Sequence, residues 1–472
     1  MSVQESASRP GSGGGNAIAE YFRFAERGTN LATEAKAGVT TFMVMAYILF
    51  LNPNILSNMF LPDEAAMNAF KAPASAATAL VAGVMSIAMG VVANVPIALA
   101  AGLGINALVA FSLVLGLGLT PAGAMGVIVL EGIVVLVLVL VGLREAVMNA
   151  VPIALKKAIA VGIGLFILFI GFVDGGIISK TGGTAAENPV PVQFVFPTEP
   201  VVATTLLGLL VTVILFVRKV PAALLLSILI TTVIGIFTGV TTIPPNLIQA
   251  PSFSTLGAFD VMNVWDLGIL VALLTIFSFM LTDFFDTMGT ATAISDQAGL
   301  TDENGRVPNT GRLLAVDSVA AIAGGAAGIS SNTSYIESAA GVAEGGRTGF
   351  TSVVVGLLFL AAILLTPLAT MVPFAATAPV LIVVGYLMVS HIRDIDFANV
   401  EEGLPALLAL ILMPLTFSIT VGIGAGFVAY VLIKLVRGKL TEIHPLLWAV
   451  AIAFLVYFAQ AWIGGLINPP AA

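Results

Sequence analysis

Asp283 and Asp286 stand three residues apart at the end of an apolar run, "FSFMLTDFFDTMGTATAISDQAG", and helical spacing puts Thr287 and Thr290 on the same face. A third acid, Glu337, sits in "SSNTSYIESAAGVAEGGRTGF", Ser330 to Phe350, a polar stretch between two long apolar runs. A charged side chain in a spanning segment is costly, so such residues usually face a cavity and mark a substrate or proton path. These spans offer no basic partner. Three acids in a dry cavity repel one another and cannot all stay ionised, and a carboxyl poised that way can carry a proton. The plainer role for either aspartate is to cap a neighbouring broken helix. Asp317, in "LLAVDSVAAIAGG", and Glu131, in "VIVLEGIVVLVLV", lie inside other apolar runs, where a backbone prop and a functional role both fit. Asp63, Glu64, Glu401 and Glu402 read as loop charges, and Glu344 and Arg347 as an ion pair or gate contact.

These acids must be positioned by membrane helices. The 472-residue chain is 58% hydrophobic and 9% charged, with a mean hydropathy of +1.08. Apolar stretches long enough to cross a bilayer recur along it, so the expected class is an all-α polytopic membrane protein. The absence of cysteine excludes disulfides and thiolate metal sites. Two histidines, His391 and His444, cannot build a zinc or haem centre alone. No nucleophile–base pair is visible, so the chain does not read as an enzyme, and no cofactor, metal or nucleic acid is expected. The opening "MSVQESASRPGSGGG" reads as disordered, and "AIAEYFRFAERGTNL" as a short interfacial helix.

Spans are expected near Lys36–Phe60, Thr78–Asn94, Val95–Leu115, Pro121–Leu143, Lys157–Val173, Val201–Phe216 and Pro221–Val240. After an amphipathic surface connector come Leu267–Thr287, Arg312–Gly328, the polar stretch, Val354–Met371, Pro379–Ser390, Leu404–Ser418 and Val421–Val436. Pro445–Ile463 is an extra apolar segment without Lys or Arg, so its side is open. With the N-terminus in the cytoplasm of a plasma (inner) membrane, 16 of the 18 basic residues fall on the cytoplasmic side, and only Lys71 and Lys180 fall outside. Arg347 joins the majority only if Ser330–Gly346 crosses the membrane. Non-helical backbone is tolerated at that depth where protein or a water-filled cavity covers it.

The matching stretch of the first half is "NVPIALAAGLGINALVAF", broken by Pro96, Gly102 and Gly104. Seven spans followed by seven begin on opposite sides, which makes an inverted repeat with broken third and tenth spans. Interrupted segments at matching places in two such halves point to a midplane binding site, because two half-helices aim unpaired N–H groups at one spot. Asn106 belongs to the first turn of one half-helix and Glu337 to that of the other. Tyr47, Phe111 and Tyr335 are aromatics near the breaks.

"GVTTFMVMAYILFLNPNIL", "GLGINALVAF", "DFFDTMGTATAI" and "TSYIESAAGVAEGGRTG" together resemble the AzgA-like purine permeases, a branch of the nucleobase–cation symporters. The resemblance implies core and gate domains: core at 36–143 (spans 1–4) and 267–371 (spans 8–11), gate at 144–240 (spans 5–7) and 372–437 (spans 12–14). Residues 1–35 would be a cytoplasmic N-terminus, 241–266 a connector and 438–472 the extra apolar segment. The implied activity is proton-coupled uptake of hypoxanthine, adenine or guanine, with Asn106, Asp283, Asp286 and Glu337 at the binding positions. Tyr47 and Tyr335 join them as stacking candidates, and Asp283, Asp286, Asp317 and Glu337 are the candidates for proton coupling. The expected partners are a purine nucleobase, a proton and the lipid bilayer, with a homodimer left open. A uracil or xanthine permease is the nearer rival. An anion carrier of similar architecture is the further one, and would want a basic residue at a half-helix N-terminus, where this chain has Glu337.

The charge distribution predicts that a tag at Arg306–Arg312 is reachable only from the cytoplasm and one at Lys180–Pro200 only from outside. Labelling of both from one side would contradict the inverted repeat.

Overall fold

The computed structural model describes residues 17–142, 150–180, 192–243, 250–301, 307 and 309–467, with backbone alone for 460–467. The Gly/Ser-rich start, Arg9, Arg144 and Arg306, and connector residues 244–249 lie outside the described residues.

A short helix, α1 (Ala17–Tyr21), leads to Phe22 and Phe24, which are buried and pack edge-on against Phe350. The first span is bent: α2 (Leu31–Met45), capped by Asn30, is followed by α3 (Ile48–Ser57). Pro53 inside α3 cannot donate to the carbonyl of Leu49, and Ser75 Oγ from the next span takes that carbonyl instead at 2.8 Å. The second span, α4 (Glu64–Ala88), continues as a π turn to Ala93. It starts well before the expected Thr78 because the Asp63 carboxylate caps it, accepting from Ala66 N. Lys71, counted among exterior residues from the sequence, is thereby drawn into the span. It is buried, with its ammonium 4.7 Å from the centre of the Phe374 ring.

The third span is broken. A strand, β1 (Leu99–Ala101), runs into a half-helix, α5 (Leu103–Leu108), prolonged by π turns to Gly116. Then come α6 (Pro121–Leu140), with Thr120 as its cap and Pro121 in its first turn, and α7 (Ile153–Asp174). A small hairpin pairs β2 (Ile178–Lys180) with β3 (Val192–Phe194), and α8 (Pro200–Val217) and α9 (Ala223–Phe237) close the first half. The described part of the connector is irregular until a short 3-10 helix, Asn263–Leu267. It is tied over one end of α6 by Asp260 N to Ala122 O (2.8 Å) and by Thr120 Oγ1 to Asn263 Oδ1 (2.8 Å).

The second half repeats the plan: α10 (Ile269–Gln297), α11 (Thr310–Ala326), then the break with β4 (Asn332–Ser334) and α12 (Ser338–Ala343). It continues with α13 (Gly349–Ala362), α14 (Phe374–Val389), α15 (Val400–Thr416) and α16 (Ile419–Val436). The extra segment is helical, α17 (Pro445–Ile467), and packs on α16 and α10. Among the described residues, nine helices are long and apolar enough to cross a membrane. The broken spans are not among them, because each is half strand.

The architecture is that of two inverted repeats forming core and gate. One set of contacts joins α2 and α4 to α13 and α6 to α10 and α11; the other joins α7 to α14 and α15 and α8 to α9 and α14. Related glycines permit related crossings: a Cβ on Gly83 or Gly356 would strike the other's carbonyl between α4 and α13, and Gly164 and Gly385 do the same between α7 and α14. Hydrogen bonds of Arg27 with Asn94 O and Arg347 O, and of Asn309 with Ala93 O, put the starts of α2 and α11 and the ends of α4 and α12 on one face. That face is called the N-side below.

Two charge assignments change. Glu401 is not an ordinary loop charge: it is buried among Lys434, Arg437 and Lys439. Glu344 pairs with Lys36 rather than Arg347, whose guanidinium donates to the carbonyls of Val342 and Gly346.

Candidate functional site

The two broken spans meet through their strands. β1 and β4 pair antiparallel, Leu99 opposite Ser334, Ala100 opposite Thr333 and Ala101 opposite Asn332. Gly102 N to Ser331 O (2.9 Å) and Tyr335 N to Ala98 O (3.0 Å) extend the ladder at both ends. In a bilayer core each unpaired backbone group costs several kcal/mol, and here each break supplies the other's partners. Side chains fasten the junction: Ser338 Oγ accepts from Ala98 N (3.0 Å), and the Tyr335 hydroxyl donates to Ala101 O.

Both half-helices begin at this ladder and line one cavity of about 150 Å³. Gly102–Ile105 form one end and Tyr335–Glu337 the other, while Thr282, Phe285, Asp286 and Thr290 of α10 form a side. The facing wall belongs to the gate and is apolar: Ile159 and Ile163 of α7, Val384, Leu387 and Met388 of α14. Among the described residues, no Lys, Arg or His lines the space. The more exposed lining residues, Asp286, Ile336 and Leu387, lie toward the end of α14, which shares the N-side with the start of α7 through Lys157 Nζ to Asp394 O (2.9 Å). The cavity therefore opens on the N-side.

Asp286 is exposed to the cavity and Glu337 half-buried in it. The Tyr47 hydroxyl, at the bend of the first span, donates to Glu337 Oε1 at 2.6 Å. This bond fixes the carboxylate and leaves its other oxygen for a ligand. Asp283 is 2% exposed and is not a lining residue. It and Thr287 face the other way, toward α11 and β4. Asp317 Oδ2 accepts from Thr287 Oγ1 (2.7 Å) and its Oδ1 from Ser334 Oγ (2.8 Å), while Thr287 and Thr333 share a 2.7 Å hydroxyl contact. Asn106 is fully buried in α5 behind the lining residues, with neither amide atom paired within the protein. Phe111 packs on Phe417, away from the cavity.

The structure thus brings Asp286, Glu337 and Tyr335 to one cavity, with Tyr47 one hydrogen bond behind. It sets Asp283, Asp317 and Asn106 behind the lining. Sequence reasoning did not single out Thr282, Phe285, Thr333 or Ser334 as lining, nor any gate residue. The threonines and Ser334 carried a signal, being polar beside the acids; the gate residues carried none.

With this geometry described, comparison with known proteins is decisive. The profile of the Permease family matches residues 33–425. The chain belongs to that family. It is a transporter, not an enzyme, and its resemblance to the AzgA-like permeases holds. It is 39% identical over 446 residues to the guanine/hypoxanthine permease PbuG of Bacillus subtilis, covering 93% of this chain and 98% of that one. It is 38% identical over 462 residues to the adenine permease AdeP of Escherichia coli, covering 97% and 98%. Among solved structures, the transmembrane domain of the cyanobacterial bicarbonate transporter BicA superposes with a TM-score of 0.61 at 18% identity, covering 84% of this chain and 97% of that one. SLC26A9 superposes with 0.61 at 12%, covering 86% and 66%. At such identities the likeness is one of fold.

The placement of the two aspartates is testable because the chain has no cysteine of its own. Asp286→Cys and Thr290→Cys are expected to react with a small maleimide in the folded protein, and Asp283→Cys to stay protected. Equal labelling of all three would put Asp283 in the cavity.

Proposed function

We propose that the protein takes up purine nucleobases, hypoxanthine, adenine or guanine, together with protons, by alternating access of the core against the gate. The observation that carries this reading is the small midplane cavity framed by Asp286 and the Tyr47-held Glu337, with no cation in its lining. Its volume lies below the roughly 300–1,000 Å³ of pockets for drug-sized ligands, in keeping with a small solute. A neutral, flat base edged with N–H groups suits carboxylate acceptors, Phe285 offers an aromatic face, and half-helix N–H groups can donate to a carbonyl or ring nitrogen. No positive side chain among the described residues lines the cavity itself, and Lys156 stands behind Phe285 with its ammonium 5.4 Å from the ring centre. The relatives named for guanine, hypoxanthine and adenine support the purine class. The basic-residue distribution supports a plasma (inner) membrane protein with its N-side in the cytoplasm, so the cavity described here opens inward.

In this mechanism Glu337 and Asp286 hold the base, and Asp283, one turn from the cavity and closed off from it, is the proton carrier. The gate wall of Ile159, Ile163 and Leu387 gives the core an apolar surface to move against.

The test is uptake of radiolabelled purines, uracil and xanthine by cells lacking their own permeases, with and without a protonophore. Purine accumulation abolished by the protonophore is expected; accumulation of pyrimidine alone would overturn the reading. In purified protein, Glu337→Gln keeps the size but replaces an acceptor with a donor. A buried polar mismatch costs roughly 1–3 kcal/mol, so purine affinity should fall about 5- to 150-fold. Unchanged affinity would remove Glu337 from the site.

Asp283→Asn separates binding from coupling. It should bind purine with little dependence on pH and exchange internal for external purine, yet fail to accumulate it on an imposed proton gradient. Retained gradient-driven accumulation would exclude Asp283 as the carrier.

A further inference from the structure

Glu131 is the one mid-span acid that the substrate cavity leaves unexplained. It lies near the middle of α6, fully buried, and neither carboxylate oxygen has a hydrogen-bond partner within the protein. Buried polar groups are almost always paired, with protein or with ordered water; the Ser331 hydroxyl is the nearby group able to serve Glu131 but stands outside hydrogen-bond distance, which leaves both oxygens room for another partner.

Its surroundings repeat the pattern. Glu131 shares its interior with Asp317 of α11 and Asp283 of α10, both buried. Asp283 Oδ1, the hydroxyls of Ser330 and Ser331, and both amide atoms of Asn332 are also buried and unpartnered. These atoms belong to the segment that leads into β4 and to the helices behind it. Thr333 and Ser334 of β4 both line the substrate cavity, and the Ser334 hydroxyl also reaches Asp317 in the polar interior behind it.

A second cavity, of about 350 Å³, lies on the face opposite the N-side, lined by Phe60, Phe70, Met125, Thr255, Ala258 and Gly328 among others. All its lining comes from the core helices and the connector and none from the gate. It ends on Met125, whose sulfur accepts from Ser330 N at 3.3 Å. Ser330 and Ser331 follow from there, and Glu131 is six residues further along α6 than Met125. At the inner end, Asp317 is joined to the substrate side by the Thr287–Thr333 and Ser334 contacts.

Among the described residues, the charges on the packed elements leave these acids without a counter-ion. On α10, Asp286 faces the substrate cavity with Glu337, and Asp296 is exposed at the N-side end. Arg312 on α11 is exposed at that same end, and Asp260 and Asp266 are exposed on the connector. Among the described residues, no group of three or more His, Cys, Asp or Glu is placed to hold a metal ion. A proton needs only one carboxylate oxygen and a file of water, and unpartnered hydroxyl and amide groups are what such waters bind, typically with about three hydrogen bonds each.

We propose that Glu131, backed by Asp317 and Asp283, is a proton-loading site reached through this second cavity, so that proton and substrate enter the core by separate routes. The proton is taken from a water in the file onto a carboxylate oxygen and returned to water on release, with no other bond made or broken. The inference rests on the proton-coupled reading above, in which Asp283 is the carrier, and adds to it the path and Glu131 as the residue that loads the proton toward Asp283. Coupling then passes through β4: Ser334, one of the two hydroxyls that hold Asp317, belongs to the strand that leads into Glu337, and the other, Thr287 of α10, contacts Thr333 of that strand.

The test uses the full chain in proteoliposomes. In Glu131→Gln, purine affinity and purine–purine exchange should stay within about twofold of wild type, as for a residue without contact to the solute. Accumulation driven by an imposed proton gradient should fall by roughly tenfold or more, because the group that holds the proton is gone. Ala258→Trp, which narrows the second cavity at the surface connector, should slow gradient-driven uptake and spare exchange, and it carries the test if the Gln variant does not fold. A readout without purine is the protonated-carboxyl infrared band: it should titrate in wild type and lose amplitude in Glu131→Gln. Wild-type accumulation in Glu131→Gln, equal loss of exchange and accumulation, or an unchanged infrared titration would overturn the proposal. So would accumulation driven by sodium instead of protons. Wild-type protein that moves no purine yet shows the Glu131 band would instead sink the functional reading and leave the protonation site standing.

Discussion

The ladder between β1 and β4 is the constraint on which the rest of this structure depends. Extended backbone cannot stand alone at membrane depth. Two breaks therefore have to meet, with three residue pairs in register and a further bond at each end. That meeting fixes where α5 and α12 begin, and so where their free N–H groups and Glu337 lie. It also makes a thin polar partition across the core, with hydroxyls on both sides. The small residues of both segments follow from the same demand, because bulkier ones would keep the backbones and their neighbouring helices apart.

Behind this partition the core is unusually rich in carboxyls for a membrane interior, and α10 is the element that divides them. Three residues along an α-helix leave Asp283 and Asp286 about 60° apart around the axis. That angle is small enough to read as one face in the sequence. In the packed helix it is large enough for Asp286 to meet the cavity and Asp283 to meet Asp317 and β4. A single helix can thus serve a solute on one side and a proton on the other, with Thr287 bonded to Asp317 between them.

Much of the plan was legible before any coordinates. Hydropathy, the two interrupted stretches and the placement of Arg347 required Ser330–Gly346 to cross, and the strand pair explains how it does. Asn106 and Glu337 were selected by their matching positions, and their half-helices were found where expected. What the sequence did not disclose depends on neighbours. Lys71 read as a loop residue because the apolar run begins later. Capping by Asp63 and the Phe374 ring make room for it inside the span. Glu401 read as loop charge because its three basic partners come from the far end of α16 and beyond. The gate wall was invisible because Ile159, Ile163 and Leu387 differ in no way from lipid-facing residues until α14 is laid against the core.

The asymmetry of the core–gate contacts is the last step. On the N-side the gate lines the cavity with apolar side chains and adds one cation–π contact, Lys156 Nζ at 5.4 Å from the centre of the Phe285 ring. On the opposite face the two bodies are tied by Asn54 Nδ2 to Val372 O (3.1 Å), by Asn58 Nδ2 to Asp174 Oδ2 (3.4 Å), and by Lys71 over Phe374 (4.7 Å). Ordinary hydrogen bonds contribute about 0.5–1.5 kcal/mol each, and a buried cation–π contact such as that of Lys71 about 2 kcal/mol. These polar ties therefore contribute on the order of a few kcal/mol, a scale that a bound solute or a proton can offset. On the proposed mechanism this is why the core–gate hydrogen bonds sit on one face and the apolar lining on the other. The arrangement described here closes the face that carries these bonds and opens the face with the apolar lining.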